Sequence, residues 1–314
     1  MHSYSLLAPA KINLYLEILG DRPDGLHELV MVMQTINLAD QIDIESNGTH
    51  YHRVVCDHPE VPQNRSNLAY RAAELMEKQF PEYFSRYGGV DITIHKQTPV
   101  GAGLAGGSSN AAAVLVGLDL IWQLGLTQAE LHELGAKLGS DVPFSISGGT
   151  ALATGRGEKL DSLPHLANLW VVLAKYASLS VSTPWAYQTY RKYFGDSYLS
   201  SPTEQEQRRR QVHAGPMLTA ICQRDLSQIG QLLYNDLEKV VIPAYPKVAR
   251  LREEFQQLGV LGTLMSGSGP TVFALLPDRD QAEQVKDQMQ TTISDPDLNL
   301  WVSRFYASGV QVVE

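Results

Sequence analysis

Cysteine is scarce in this chain: two in 314 residues, Cys56 and Cys222. Two isolated thiols make neither a disulfide framework nor a metal-ligand spacing, and they predict a reducing compartment. No apolar run approaches the roughly 18 residues that a membrane helix needs. Met1-His2-Ser3-Tyr4 lacks a basic stretch leading into an apolar one, which predicts no secretory signal. A cytoplasmic location is therefore expected. Positive charge is in deficit, with 25 Lys and Arg against 34 Asp and Glu and a net charge of -9. That balance excludes the broad basic surface of a non-specific nucleic-acid binder. Gly-Lys-Ser/Thr, His-Arg-Asp and Asp-Phe-Gly are all missing, so neither a Walker loop nor a protein kinase is indicated. His50, His52 and His58 stand around an Asn-Gly turn with no further ligand motif. They are expected to be solvated loop histidines.

Glycine is plentiful, and one stretch concentrates it. Pro99-Val100-Gly101-Ala102-Gly103-Leu104-Ala105-Gly106-Gly107-Ser108-Ser109-Asn110 precedes an almost wholly apolar run, Ala111 to Leu124. Asp91 to His95 alternate in the manner of a strand. The stretch thus reads as strand, small-residue loop and buried helix, with Ser108, Ser109 or Asn110 as N-cap. A helix start free of bulky side chains exposes backbone N–H groups, and a phosphate is its natural occupant. Gly101-x-Gly103-x-x-Gly106 also spells the dinucleotide fingerprint. That reading requires an acid ending the next strand, and the acid at the right distance is Asp119, expected mid-helix.

Length suggests about two domains, divided here at 1–160 and 161–314. Lys11 to Ile18 alternate, placing Ile12, Leu14, Leu16 and Ile18 on one face and Lys11 with Asn13 on the other. That lysine and amide address either a phosphate or hydroxyl, or solvent. Gly20 to Gly25 is a polar turn. Strands are expected at Val30 to Ile36 and Gln41 to Glu45, with Asn47-Gly48 turning into a returning strand at Tyr51 to Cys56. Asn67 to Phe80 and a capped segment from Thr127 to Gly139 read as helices. Asp141 follows that stop and either caps the Pro143 turn or does chemistry.

Beyond a Gly- and Pro-rich boundary, strands are expected at Leu169 to Ala174, Thr271 to Leu276 and Trp301 to Ala307. Ser182-Thr183-Pro184 opens a helix carrying Trp185 and Tyr187. Further helices are expected over Asp225 to Tyr234, Tyr245 to Leu258 and Asp280 to Met289. Asp196 to Gly215, with its three arginines, is a mobile loop or a solvated surface helix. Gly262 to Pro270 is a second small-residue turn. Strands and helices mix without a long parallel run, giving an α+β class in two parts.

Three blocks resemble the GHMP small-molecule kinases. They are Pro9-Ala-Lys-Ile-Asn-Leu with Arg22-Pro-Asp-Gly-Leu-His-Glu-Leu29, then Pro99 to Asn110 with Gly139-Ser-Asp-Val-Pro-Phe144, and Met265-Ser-Gly-Ser-Gly-Pro-Thr-Val-Phe273. The first block and Gly-Ser-Asp-Val-Pro-Phe narrow the resemblance to the branch phosphorylating 4-diphosphocytidyl-2-C-methyl-D-erythritol in non-mevalonate isoprenoid synthesis. The resemblance implies a two-domain fold with the active site in the interdomain cleft. It implies ATP with its phosphates on Pro99 to Ser109, and Mg2+ with Ser108 near it. Lys11 and Asp141 match the catalytic pair. Asn13, His27, Thr183 and Tyr187 match substrate positions for a cytidylated sugar alcohol. No nucleic-acid or membrane partner is implied, and monomer or weak dimer is left open. Leu26, Val100 and Ala105 depart from the usual Tyr, Met and Gly, changes expected to touch affinity and not reaction type. Other readings are a GHMP kinase for homoserine, a sugar or mevalonate, a non-catalytic nucleotide-binding module, and a hydride-transfer enzyme.

Overall fold

The computed structural model describes residues 3–166, 169–199 and 201–313. The chain opens on a long antiparallel hairpin, β1 (Ser3–Asp21) and β2 (His27–Ser46). The polar turn between them uses Gly25 at φ 82°. The single apolar face expected for β1 does not hold. A register shift between Asn13 and Tyr15 inserts one residue, and side chains beyond a bulge exchange faces. Ile12 and Leu14 enter one apolar cluster, whereas Leu16 and Ile18 enter another. Leu16 thereby joins Lys11 and Asn13 on the same cleft wall. β2 also runs unbroken through the gap expected between 36 and 41, its register absorbed by a shift opposite Pro9 and Lys11.

β3 (Arg53–Cys56) is not a returning hairpin strand. It pairs in parallel with β4 (Val90–His95), and β4 takes the place beside β2. The crossover that a parallel pair requires contains α1 (Leu68–Gln79), capped by the Asn67 side chain, and α2 (Pro81–Tyr87). His52 is buried, not solvated: its ring lies 5.5 Å from Phe84 and Nε2 lies 3.2 Å from Glu77. Among the described residues no group of three His, Cys, Asp or Glu could hold a metal ion.

α3 (Gly106–Trp122) begins before the serines expected to cap it, and Ala105 in the left-handed region precedes it. Asp119 sits in its last turn, where its carboxylate accepts from Leu126 N. α4 (Gln128–Leu138) carries the expected Thr127–Glu130 capping box. α5 (Val142–Ser147), β5 (Thr150–Gly155) and β6 (Lys159–Leu163) follow, with β5 pairing β2 and β6.

β7 (Trp170–Tyr176) starts a second sheet. Next come α6 (Thr183–Phe194), α7 (Pro202–His213), α8 (Pro216–Gln223) and α9 (Leu226–Gln231). Of the two forms expected for the polar segment, the surface helix is the one taken over Pro202–His213. Two of its three arginines are not merely solvated, Arg208 pairing with Glu17 and Arg209 with Glu28, while Arg210 stays exposed beside Glu206. β8 (Tyr234–Asn235) returns to pair with β1, and α10 (Glu238–Ala244) and α11 (Pro246–Gln256) follow. β9 (Gly262–Met265), β10 (Val272–Leu276), α12 (Arg279–Thr292), β11 (Leu298–Arg304) and β12 (Gln311–Val312) end the chain. The first half of the second small-residue turn is therefore strand β9. The second sheet runs β11-β7-β10-β9 and is antiparallel throughout. β12 and β8 belong to the first sheet.

One apolar cluster joins α1 and α3 to the first sheet. A second holds Ile12 and Val32 against Leu173 and Phe273, filling the space between the two sheets. No helix among the described residues is long and apolar enough to cross a membrane.

Candidate active site

Residues from both halves of the chain line a cleft of about 700 Å³. The glycine loop joining β4 to α3 forms one wall. Gly101 and Gly103 take φ 59° and 73°, and Ala105 takes φ 58°. A left-handed residue with a Cβ costs about 1 kcal/mol, so Ala105 is accommodated. Gly103 has no such freedom, since a Cβ there would lie 2.3 Å from the Ser266 carbonyl oxygen. Ser266 Oγ in turn donates to Gly103 O at 3.1 Å. The two small-residue segments therefore interlock. Gly267 lies over Lys11, a Cβ there being 3.6 Å from the ammonium.

The first intrahelical bond of α3 runs from Ser109 N to Ala105 O. The N–H groups of Gly106, Gly107 and Ser108 precede it and have no helical acceptor. Pro99 to Gly107 all line the cleft. Ser108 and Ser109 do not. Ser109 is fully buried and its Oγ donates to Pro9 O at 2.7 Å, tying helix to β1. Ser108 Oγ faces Gly139. This donor set, amides at the start of a long helix with lysine beside them, fits the phosphates of ATP.

Sequence reasoning missed what stands behind the loop. Asp40 on β2 is fully buried. Its carboxylate accepts from Gln97 N at 2.9 Å, Thr98 N at 2.8 Å and Asn110 Nδ2 at 2.7 Å, and it pairs with Lys96. Lys96 Nζ reaches the loop, about where a Cβ on Gly106 would touch it at 3.0 Å. No local pattern marks Asp40, because its partners arrive through tertiary contacts.

Lys11 and Asp141 meet beside this loop, Nζ to Oδ2 3.7 Å apart, and Lys11 N donates to Leu104 O at 3.1 Å. Lys11 Nζ also donates to Asn13 Oδ1 at 2.7 Å. The alternation-based placement of Lys11 and Asn13 on one side holds here, ahead of the bulge. Asp141 precedes α5 but its side chain makes no capping bond. It is free to face the cleft, its side chain 29% exposed against 7% for Lys11.

His27 and Tyr187 form the far end, ring centroids 5.0 Å apart, with Leu26 lining the same region. Burial, and then the nearby Arg191 charge, lower the His27 pKa from its ordinary value. The ring is therefore neutral near pH 7, with one donor and one acceptor nitrogen. Its Nε2 is buried without a hydrogen-bond partner, the nearest carboxylate, Asp21, standing 3.7 Å away. Burial raises the Tyr187 pKa, with the Asp141 charge adding to it. Thr183 Oγ1 and Ser268 Oγ are 2.8 Å apart between α6 and the second loop. Arg156, Gln188 and Arg191 also line the cleft and were not anticipated.

The model of the GHMP kinases N terminal domain matches residues 67–149, and that of GHMP kinases C terminal matches 217–295. The 4-diphosphocytidyl-2-C-methyl-D-erythritol kinase of Gloeothece citriformis is 61% identical over 312 residues, 99% of each chain. That of Nostoc punctiforme is 62% identical over 313 residues, again 99% of each. A crystal structure of 4-(cytidine 5'-diphospho)-2C-methyl-D-erythritol kinase superposes with a TM-score of 0.72 at 31% identity, covering 97% of this chain and 100% of that one. Homoserine kinase from Cytophaga hutchinsonii shares the fold at 19% identity, with a TM-score of 0.73 over 100% of this chain and 98% of that one. The chain belongs to the GHMP kinases, and within them to the 4-diphosphocytidyl-2-C-methyl-D-erythritol kinase family.

Proposed function

We propose that this protein transfers the γ-phosphoryl group of ATP to the 2-hydroxyl of 4-diphosphocytidyl-2-C-methyl-D-erythritol, giving the 2-phosphate and ADP. The reaction serves the non-mevalonate route to isoprenoid precursors. The observation that carries it is the Lys11–Asp141 pair lining one cleft together with the glycine loop. The walls of that cleft come from the halves 1–160 and 161–314.

The acceptor oxygen attacks the γ-phosphorus and its proton passes to Asp141. Lys11 stabilises the developing alkoxide and offsets charge on the phosphoryl group in flight. The amides at the start of α3, Lys96 and the loop from Pro99 to Gly107 hold the ATP phosphates. Fixed donors of this kind usually contribute more to such catalysis than any other single effect. Ser109 supports that loop from behind through Pro9. Mg2+, when bound with the nucleotide, would neutralise phosphate charge there; Ser108, whose Oγ faces Gly139 and not the cleft, would reach it only by turning its side chain. Asn13 and Thr183 position the methylerythritol end. His27 addresses a cytosine edge, whose donor and acceptor it can match, and Tyr187 with Leu26 covers the base.

The test is ADP release with ATP and Mg2+ on the cytidylated alcohol, with homoserine, galactose and mevalonate in parallel. Turnover on the cytidylated alcohol alone is expected. Turnover only on another alcohol would overturn the acceptor, and release with none would overturn the kinase.

A further inference from the structure

The lysines and arginines lining the cleft are Lys11, Lys96, Arg156 and Arg191. Three of them are already neutralised. Lys11 stands 3.7 Å from Asp141, Lys96 pairs with Asp40, and Arg191 pairs with Asp21 at 2.7 Å. Arg156 differs. Among the described residues no carboxylate oxygen lies within salt-bridge distance of its guanidinium. Its one side-chain hydrogen bond goes to the neutral Ala136 carbonyl. Asp24 feels its charge but is itself paired with Arg22 at 3.2 Å.

The backbone that carries Arg156 is held firmly. Arg156 N donates to the Glu158 carboxylate at 2.8 Å, and Gly157 N donates to Thr154 O at 3.1 Å. Gly157 packs on Ser140, where a Cβ would stand 3.6 Å from the Ser140 Cβ. Ser140 precedes Asp141, so the turn lies next to the proton acceptor. A guanidinium has five N–H donors in a planar fork, and one bond to a carbonyl leaves most of them free. An uncompensated arginine in a cleft, on a rigid turn, is a receptor for a phosphate oxygen.

We infer that Arg156 is a specificity-determining residue that binds the diphosphate of the acceptor, between the nucleobase end at His27 and Tyr187 and the reacting hydroxyl at Asp141. This rests on the acceptor reading given above. It explains selection of a diphosphate-bearing alcohol over a neutral one without any contribution to phosphoryl transfer itself.

The test compares wild type with Arg156→Met and Arg156→Lys. Calorimetric binding of cytidine diphosphate and of cytidine is measured first, without turnover. Wild type is expected to bind the diphosphate at least about tenfold more tightly, as a charge-assisted bond requires. Arg156→Met removes that preference while cytidine binds as before, and Arg156→Lys retains part of it. In the kinase assay Arg156→Met raises the KM of the cytidylated alcohol about tenfold, with kcat and the KM for ATP unchanged. A wild type that binds neither nucleoside fails the acceptor reading, not the assignment of Arg156 alone. A wild-type preference that survives in Arg156→Met overturns the assignment. So does a fall in kcat at unchanged acceptor KM, which would put Arg156 on the transferring group.

Discussion

Replacing Asp141 by asparagine isolates the proton acceptor from everything else in the cleft. The side chain keeps its size and loses its basicity. It caps no helix, so α5 loses nothing at its start. Lys11 loses an ion pair of 3.7 Å but keeps Asn13 Oδ1 at 2.7 Å. The ammonium is therefore not stranded, and the stability cost should be about 1 kcal/mol, between the exposed and fully buried limits. Positioned general bases contribute about 10²–10⁴-fold, or roughly 3–5 kcal/mol of barrier. Asp141→Asn should thus unfold within a few degrees of wild type, bind ATP as wild type does, and lose kcat by about 10²–10⁴-fold. Coupled ADP release gives kcat, calorimetry gives nucleotide affinity, and thermal unfolding gives stability. Turnover within about threefold of wild type would refute the proton-acceptor role, the general-base effect being far larger than that. Equal loss of ATP affinity and turnover would also refute it, since Asp141 would then be holding the nucleotide.

Gly103→Ala should lower ATP affinity and destabilise the fold by about 1–3 kcal/mol, because a Cβ 2.3 Å from Ser266 O pries the two loops apart; a denaturant titration and nucleotide calorimetry measure both. Tyr187→Ala should raise the acceptor KM by a factor corresponding to about 1–3 kcal/mol of lost base stacking, with the KM for ATP unchanged. An unaltered acceptor KM would move Tyr187 out of the binding site. Burial lowers the pKa of His52 despite the opposing Glu77 charge, and burial lowers that of His27. A base depressed in the fold is protonated first in the unfolded chain, so stability is full above 6.5 and falls as pH drops toward the folded values. Urea midpoints should therefore fall between about pH 7.5 and about pH 5.5, and His52→Phe should show a shallower fall. An identical slope in that variant would remove His52 from the account.

Local chemistry was readable wherever its partners were sequence neighbours. The Thr127–Glu130 box and the Ser182 cap form as their spacing predicts, and the helix expected from Asn67 is capped by the Asn67 side chain. The glycine loop was evident from composition, and its helix began earlier than the serines suggested because Ala105 takes the left-handed turn. Leu16 and His52 were misplaced for one common reason. The bulge in β1 and the parallel seat of β3 are choices made by other strands, and alternation within a segment carries no trace of them. Arg208 and Arg209 of α7 read as solvated because Glu17 and Glu28 lie far back in the chain.

By itself the sequence determined most of the longer strands and helices and the small-residue loop from Pro99 to Gly107, and its resemblance to the GHMP kinases singled out Lys11 and Asp141. The elements follow from short-range periodicity and the loop from its composition, whereas the pair follows only from the resemblance. Tertiary structure alone decided which charges are neutralised and which are left open. Lys96 is answered by Asp40, Arg191 by Asp21 and Lys11 by Asp141, while Arg156 faces the cleft without a carboxylate partner among the described residues. Electrostatic pairing depends on distance in space, and only the folded chain sets that distance.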